Sequence, residues 1–173
     1  MQLSLLGREL FADRTFAPGS ASNGTRFFPE TQHTLSGKFL MFWNKRGGLA
    51  VFGYPISEPI EEPSPTDGVV RVAQYFERAR FEYHPEAAGT DAQVQLSLLG
   101  RQLFGDRAFA AGKAEDGTLF FPETQHTLSG AFLNFWNKRG GLAVFGYPIS
   151  EPFEEASPTD GTVRLAQYFE RAR

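Results

Sequence analysis

The sequence predicts an α+β protein built as two tandem copies of one small module. Each copy is expected to be one helix packed on a short antiparallel sheet, with a propeller-like repeat array as the alternative arrangement of the same elements. Three observations predict this. Gln2–Leu6 reads QLSLL and recurs at Gln95–Leu99, and the same offset carries Phe27 onto Phe120, Gly47 onto Gly140 and Tyr75 onto Tyr168 without a gap. Leu35, Phe39, Phe42 and Trp43 are spaced as one apolar stripe of a helix. Val69–Phe76, behind the turn signal Thr66-Asp67-Gly68, is rich in β-branched and aromatic residues and suits a strand.

The repeat is close. Between residues 2–80 and 95–173, 14 of 79 positions differ. Seven of these fall in residues 12–26, a stretch rich in Gly, Ser and Asn that reads as a surface loop. From Pro29 to Pro59 only Lys38/Ala131 and Met41/Asn134 differ. The organisation is therefore module 1 at 1–80, a connector FEYHPEAAGTDAQV at 81–94, and module 2 at 95–173.

Within one module the helix is expected over about 35–46, and over 128–139 in the second copy. Thr34 or Ser36 is its N-cap and Gly47-Gly48 its left-handed end. Lys38 and Met41 fall on the far side of the wheel, so Ala131 and Asn134 replace them at no cost to the core. Phe39, Phe42, Trp43, Phe132, Phe135 and Trp136 are expected to be buried. Leu49–Phe52 suits a short buried strand and Gly53-Tyr54-Pro55 a turn, while Pro59 and Pro63 keep the next segment out of helix. Glu77-Arg78-Ala79 turns the Val69–Phe76 strand into a second one, Arg80–His84. A helix through Val69, Val72, Phe76 and Ala79 competes with the strand.

Composition narrows the function. The 173 residues include 18 Phe, enough large apolar rings to build a core in a small module. A formal net charge of -3 argues against nonspecific nucleic-acid binding, which needs a basic surface. Without cysteine there are no disulfides, thiolate metal sites or thiol nucleophiles. No apolar run is long enough to span a bilayer. MQLSLLGREL lacks the basic start and apolar run of a signal peptide, so an exported parent would carry its signal elsewhere.

The run FFPETQHTLSGKFLMFWNKRGGLAVFGYPISEP, followed by VAQYFERARFEYHPE, resembles repeats in secreted and surface proteins of filamentous green bacteria, over nearly the whole chain. It is similar, more distantly, to the LGFP repeats of cell-wall proteins, through Phe39, Trp43, Gly47, Gly48, Phe52, Gly53, Tyr54 and Pro55 and their partners in the second copy. Two positions depart from the LGFP pattern: Phe52 stands where Leu is usual, and Gln32 where Gly is expected. The resemblance implies a surface-associated, carbohydrate- or wall-directed accessory module, and it carries over no chemistry or ligand residue.

Several residues bear chemistry. Glu30 and His33, repeated as Glu123 and His126, could ligate a metal or move protons, but no third ligand or HExxH motif accompanies them. Their expected use is to tie down the chain before the helix. Trp43 and Trp136 belong to the apolar stripe before any sugar-stacking role. The candidate ligand contacts are Tyr54, Pro55, Tyr147 and Pro148, expected exposed at a turn edge, with Arg78 and Arg171 as guanidinium groups for an acidic ligand. For Arg78 and Arg80, beside Glu77 and Glu82, the competing expectation is a cross-strand ion-pair ladder on a solvated face. No phosphate loop, nucleophile elbow or paired-carboxylate motif occurs.

The expected protein is thus a non-catalytic extracellular or cell-surface module, without cofactor, that binds a polysaccharide or envelope polymer. A structural or assembly module is the second reading and a hydrolase a distant third. Self-association is expected through the strand ending at Phe169, which lacks the Phe81–His84 partner of its first-copy equivalent.

Overall fold

A computed structural model describes residues 2–158 and 160–173. The fold is α+β, and among the described residues the sheets are all small, antiparallel and open: one of four strands and three of two. The chain divides into two compact units out of phase with the sequence repeat. The first is Leu5–Ser97; the second is Met1–Ser4 with Leu98–Arg173. The connector is therefore part of the first unit.

The first unit opens with a short helix α1 (Leu6–Leu10), an irregular loop and a hairpin of β1 (Thr25–Phe28) and β2 (His33–Ser36). Helix α2 (Gly37–Lys45) comes directly after it, then a one-turn helix α3 (Gly48–Phe52). The sheet is β3 (Ile60–Pro63), β4 (Val70–Tyr75), β5 (Arg80–Tyr83) and β6 (Val94–Leu96), in that order. The Val69–Phe76 segment is thus a strand, and the Phe81–His84 segment pairs with it, Phe81 opposite Gln74 and Glu82 opposite Ala73. β6, from the end of the connector and the start of the second sequence copy, closes the far edge.

Two expectations are corrected. Leu35 lies in β2, not on the helix, and reaches the core from the strand at 1% exposure. Leu49–Phe52 is helical, not extended. A five-residue apolar run cannot be assigned by periodicity alone. Here Gly47, at φ 113, turns the chain sharply, and Val51 and Phe52 point inward while Leu49 and Ala50 face out, which a strand's alternation would not give. Ser36 stands at the N-cap of α2 in extended conformation but makes no side-chain capping bond.

Phe81 is the centre of the first unit's core. Its ring lies 4.1 Å from Phe76, 4.8 Å from Phe52, 5.0 Å from Phe42 and 6.0 Å from Phe39, centroid to centroid. Phe39 and Trp43 are buried beneath it and Phe42 is half-buried. The indole N–H of Trp43 donates to the Gly53 carbonyl at 3.2 Å. Arg80, expected on a solvated face, is only 1% exposed: its guanidinium lies between Glu62, at 2.9 Å, and Glu82, and donates to Ser97 at 2.7 Å. Gly7 of α1 sits so close to the Phe76 carbonyl that any Cβ would overlap it.

The second unit repeats most of these elements: α4 (Leu99–Phe104), β7 (Leu119–Phe121), β8 (His126–Leu128), α5 (Gly130–Lys138), α6 (Gly141–Phe145), β9 (Phe153–Ala156) and β10 (Val163–Ala166). Ser4 donates its N–H to the Arg173 carbonyl at 3.0 Å, as Ser97 does to Arg80. The N-terminal segment therefore sits against Arg173 as the end of β6 sits against Arg80. Phe132 and Trp136, expected buried, are only half-buried, because no described residue of this unit occupies the place of Phe81; Phe42 and Phe135, also expected buried, are half-buried in both units alike.

Candidate binding site

Each unit carries an open cleft between the end of its first helix, the loop after it and the turn of its first hairpin. In the first unit it encloses about 460 Å³ and is lined by Arg8, Phe11, Arg14, Phe16, Glu30 and Thr31, with His33 at its base. In the second it encloses about 290 Å³ and is lined by Arg101, Phe104, Arg107, Phe109, Glu123 and Thr124, with His126. Every one of these pairs is related by the repeat.

The cations are held in place by partners in the same unit. Arg8 donates through Nε and Nη2 to one Glu77 oxygen, at 3.0 and 2.8 Å; Arg101 does the same to Glu170 at 2.9 and 2.8 Å. Arg14 bonds Glu62 at 3.0 Å and the Tyr75 hydroxyl at 2.5 Å, and its guanidinium carbon lies 4.9 Å from the centre of the Phe16 ring. Arg107 bonds the Tyr168 hydroxyl at 2.8 Å and lies 5.0 Å from the Phe109 ring. Burial pushes the Glu62 carboxyl up, but hydrogen bonds from Tyr75, Arg80 and Arg14 outweigh it and hold it below the ordinary value. This anchoring presents the arginine edges and the Phe rings to the cleft at low entropic cost.

Glu30 and His33 line one cleft but bond to different partners. Glu30 is exposed on the hairpin turn and accepts from the Tyr54 hydroxyl at 3.1 Å; Glu123 and Tyr147 repeat the bond at 3.3 Å. Tyr54 is raised by the bond to Glu30 and by burial, and Tyr147 by burial and the Glu123 charge, so each phenol keeps the proton that it donates. His33, 6% exposed, faces Glu58 at 3.3 Å, and Glu58 also accepts the Thr34 amide at 2.8 Å and its hydroxyl. Glu58 thus fastens β2 just ahead of α2. Among the described residues no group of three His, Cys, Asp or Glu is placed to hold a metal. The Thr31 and Thr124 hydroxyls line the two clefts, buried and with no hydrogen-bond partner in the protein.

Of the residues singled out as ligand contacts, Tyr54 and Tyr147 reach the clefts through Glu30 and Glu123. Pro55 and Pro148, expected exposed, are buried, each bridging the end of the long strand at Phe76 or Phe169. Arg78 donates to the Leu49 carbonyl at 3.0 Å and Arg171 to Leu142 at 2.8 Å, so each clasps the one-turn helix of its unit. Burial lowers the Arg171 guanidinium from its ordinary value, against the pull of Glu170. The cleft residues Arg14 and Phe16 escaped sequence reasoning, yet a signal was there: both are kept in the second copy inside the loop where half of the differences fall.

Comparison with protein-family models, with curated proteins and with solved structures finds no match to this chain.

Proposed function

We propose that this chain is a non-catalytic extracellular module that binds a polysaccharide or related envelope polymer, one stretch of polymer in each cleft. The observation that carries the reading is the residue-for-residue repetition of a cleft combining an exposed carboxylate, anchored guanidinium edges and two aromatic rings. A polyhydroxylated chain needs that mixture: acceptors and donors for vicinal hydroxyls, and apolar ring surface for the sugar's C–H faces. Open, solvent-exposed clefts of this kind bind weakly, and duplication on one chain raises avidity without stronger contacts. The likeness to wall-associated repeats points the same way.

A glycan array including bacterial wall polysaccharides tests the reading. Glu30→Gln and Glu123→Gln alter exposed side chains, so the fold is retained. Each alone should weaken retention severalfold and the pair by about a hundredfold, the range avidity spans. Retention of no glycan, or a double variant that binds like the parent, would overturn it.

A further inference from the structure

We infer that the two clefts select sugars of different charge: the second takes a polymer of amino sugars with protonated amines, and Arg26 weakens that preference in the first. The inference rests on the glycan reading of the clefts and adds the substrate class to it. Most of the charge lining each cleft is balanced inside its own unit. Arg8 and Arg101 each meet a carboxylate at 2.8 Å, Arg14 meets Glu62 at 3.0 Å, and Arg107 approaches Glu155 at 4.0 Å. The histidines face Glu58 and Glu151. Glu30 and Glu123 differ from these groups: each is exposed and is bonded by a neutral phenol. Such a carboxylate keeps its full charge, so at a cleft rim it draws an ammonium group and repels an acid.

In the first unit Arg26 offsets that charge. It stands on β1, and its guanidinium carbon lies 4.9 Å from the centres of both the Phe28 and the Trp43 rings, which hold it there. Phe28 is in turn 5.8 Å from the ring of Tyr54, the residue that bonds Glu30. The cation therefore sits one ring away from the phenol and its carboxylate. The bond to Glu30 leads the rise of Tyr54, and the Arg26 charge opposes it. In the second unit the same rings keep their places, Phe121 at 5.8 Å from Trp136 and 5.7 Å from Tyr147, but Leu119 stands where the arginine was. There burial and then the charges of Glu123 and Glu170 raise Tyr147.

The loop beside each cleft shifts charge in the same direction. Residues 12–26 hold Asp13, Arg14 and Arg26, a net charge of +1; residues 105–119 hold Asp106, Arg107, Lys113, Glu115 and Asp116, a net charge of -1. The Gly19 and Gly112 amides bond the carbonyls of Gln32 and Gln125, so in both units this loop lies against the hairpin turn that carries Glu30 or Glu123. The sequence differences between the copies thus leave the rings and anchored arginines of the cleft alone and change the field around its exposed carboxylate.

The test titrates the intact protein with two oligomers of equal length and linkage, one of glucosamine and one of N-acetylglucosamine. Mildly acidic buffer keeps the amines protonated and the carboxylates ionised. NMR reads the rings of Phe16 and Tyr54 for the first cleft and of Phe109 and Tyr147 for the second. The glucosamine oligomer should bind the second cleft about threefold to tenfold more tightly than the first, the effect of one nearby, partly solvated charge, and high salt should shrink the preference. The acetylated oligomer should bind both clefts alike. Arg26→Leu should raise the first cleft's affinity for the glucosamine oligomer to that of the second, and Leu119→Arg should lower the second's. Each variant carries the residue that the other unit already has at that position, so the fold is retained. Equal affinity of the glucosamine oligomer for the two clefts, the same preference from the acetylated one, or variants that change neither affinity would each overturn the inference. Where neutral glycans are still retained on the array, the glycan reading survives that result. Where no glycan is retained and neither oligomer shifts the rings, the reading fails and the inference with it.

Discussion

Phe39 and Phe132 occupy the same helix position in nearly identical sequences, yet Phe39 is buried and Phe132 is only half-buried. The same holds for Trp43 and Trp136. Both indoles keep the bond to the following glycine carbonyl, at 3.2 Å in each unit. The hairpin, the glycine turn and the clasp on the one-turn helix are likewise shared. What separates the units is the strand Phe81–Tyr83, present in a four-stranded sheet on one side and without counterpart beside the two-stranded sheet of β9 and β10. The apolar face of a small module is therefore not closed by the residues most faithfully repeated. It is closed by a segment from the connector, because one ring in contact with four others completes a core that the helix and sheet alone leave open.

Removing that ring should erase the difference. Phe81→Ala is expected to cost about 3–5 kcal/mol in the first unit, the range for a buried Phe lost from a packed core. Denaturant unfolding followed by hydrogen exchange at β4 and α2 should then show the two units opening at similar free energies. As a companion measurement, Phe39→Ala should cost more than Phe132→Ala, because the second position has less burial to lose. Equal costs would mean that Phe132 is as buried in solution as Phe39.

The next effect should be the same in both units, and so checks that the comparison isolates the strand. Gly7→Ala and Gly100→Ala each drive a Cβ into a backbone carbonyl, of Phe76 and Phe169 respectively. Backbone cannot rotate away as a side chain can, so each should cost about 1–3 kcal/mol, typical of overpacking. Thermal melts of the two variants should fall together.

How much of the fold was legible in the sequence depends on the range of the interaction concerned. The stripe of Phe39, Phe42 and Trp43 gave α2, and the β-branched run before Phe76 gave β4, because local periodicity decides both. α3 was not legible: its five residues are too few for a period, and the φ of Gly47 directs them. The β1–β2 hairpin was missed because its turn, Pro29–Gln32, carries no glycine, and its inward side chains, Phe28 and Leu35, belong to no alternating run. Tyr54 was found but its role was not, since the bond to Glu30 spans elements whose packing sequence does not display. Pro55 looked like an exposed turn residue, and is buried because the turn folds back onto Phe76.

That hairpin turn supplies a smaller, stabilising test. Gln32 and Gln125 hold φ of 59 and 58, a left-handed conformation that costs a side-chain-bearing residue about 1–2 kcal/mol. Glycine relieves this but adds about 0.5–1 kcal/mol of unfolded-chain freedom. Gln32→Gly and Gln125→Gly should each therefore raise stability, by up to about 1 kcal/mol and equally, because the turn is the same in both units. The bonds from the Gly19 and Gly112 amides to the carbonyls of Gln32 and Gln125, both 2.9 Å, involve backbone only and survive the change. A loss of stability would show that the glutamine side chain holds the turn.

The smallest expected effect compares the two units through acid. Asp67 accepts both Arg71 nitrogens, at 2.7 and 2.8 Å, and the Val69 amide at 3.0 Å; Asp160 repeats the arrangement with Arg164 and Thr162. The Arg71 bonds and then the Val69 amide pull Asp67 from an ordinary 3.8 to about 2, and Asp160 is lowered by the same causes. A carboxylate whose folded value lies below its unfolded one adds stability that is complete above the unfolded value. That stability is lost as pH falls from 3.8 through about 2. Asp67→Asn and Asp160→Asn should both flatten the acid limb of a melting-temperature profile over that window. The two should not be equal. Arg71 is largely covered and also approaches Glu86, so neutralising Asp67 leaves a cation with little water around it, whereas Arg164 stays solvated when Asp160 is lost. The midpoint at neutral pH should accordingly fall further for Asp67→Asn. Equal shifts would mean that Arg164 is as covered in solution as Arg71.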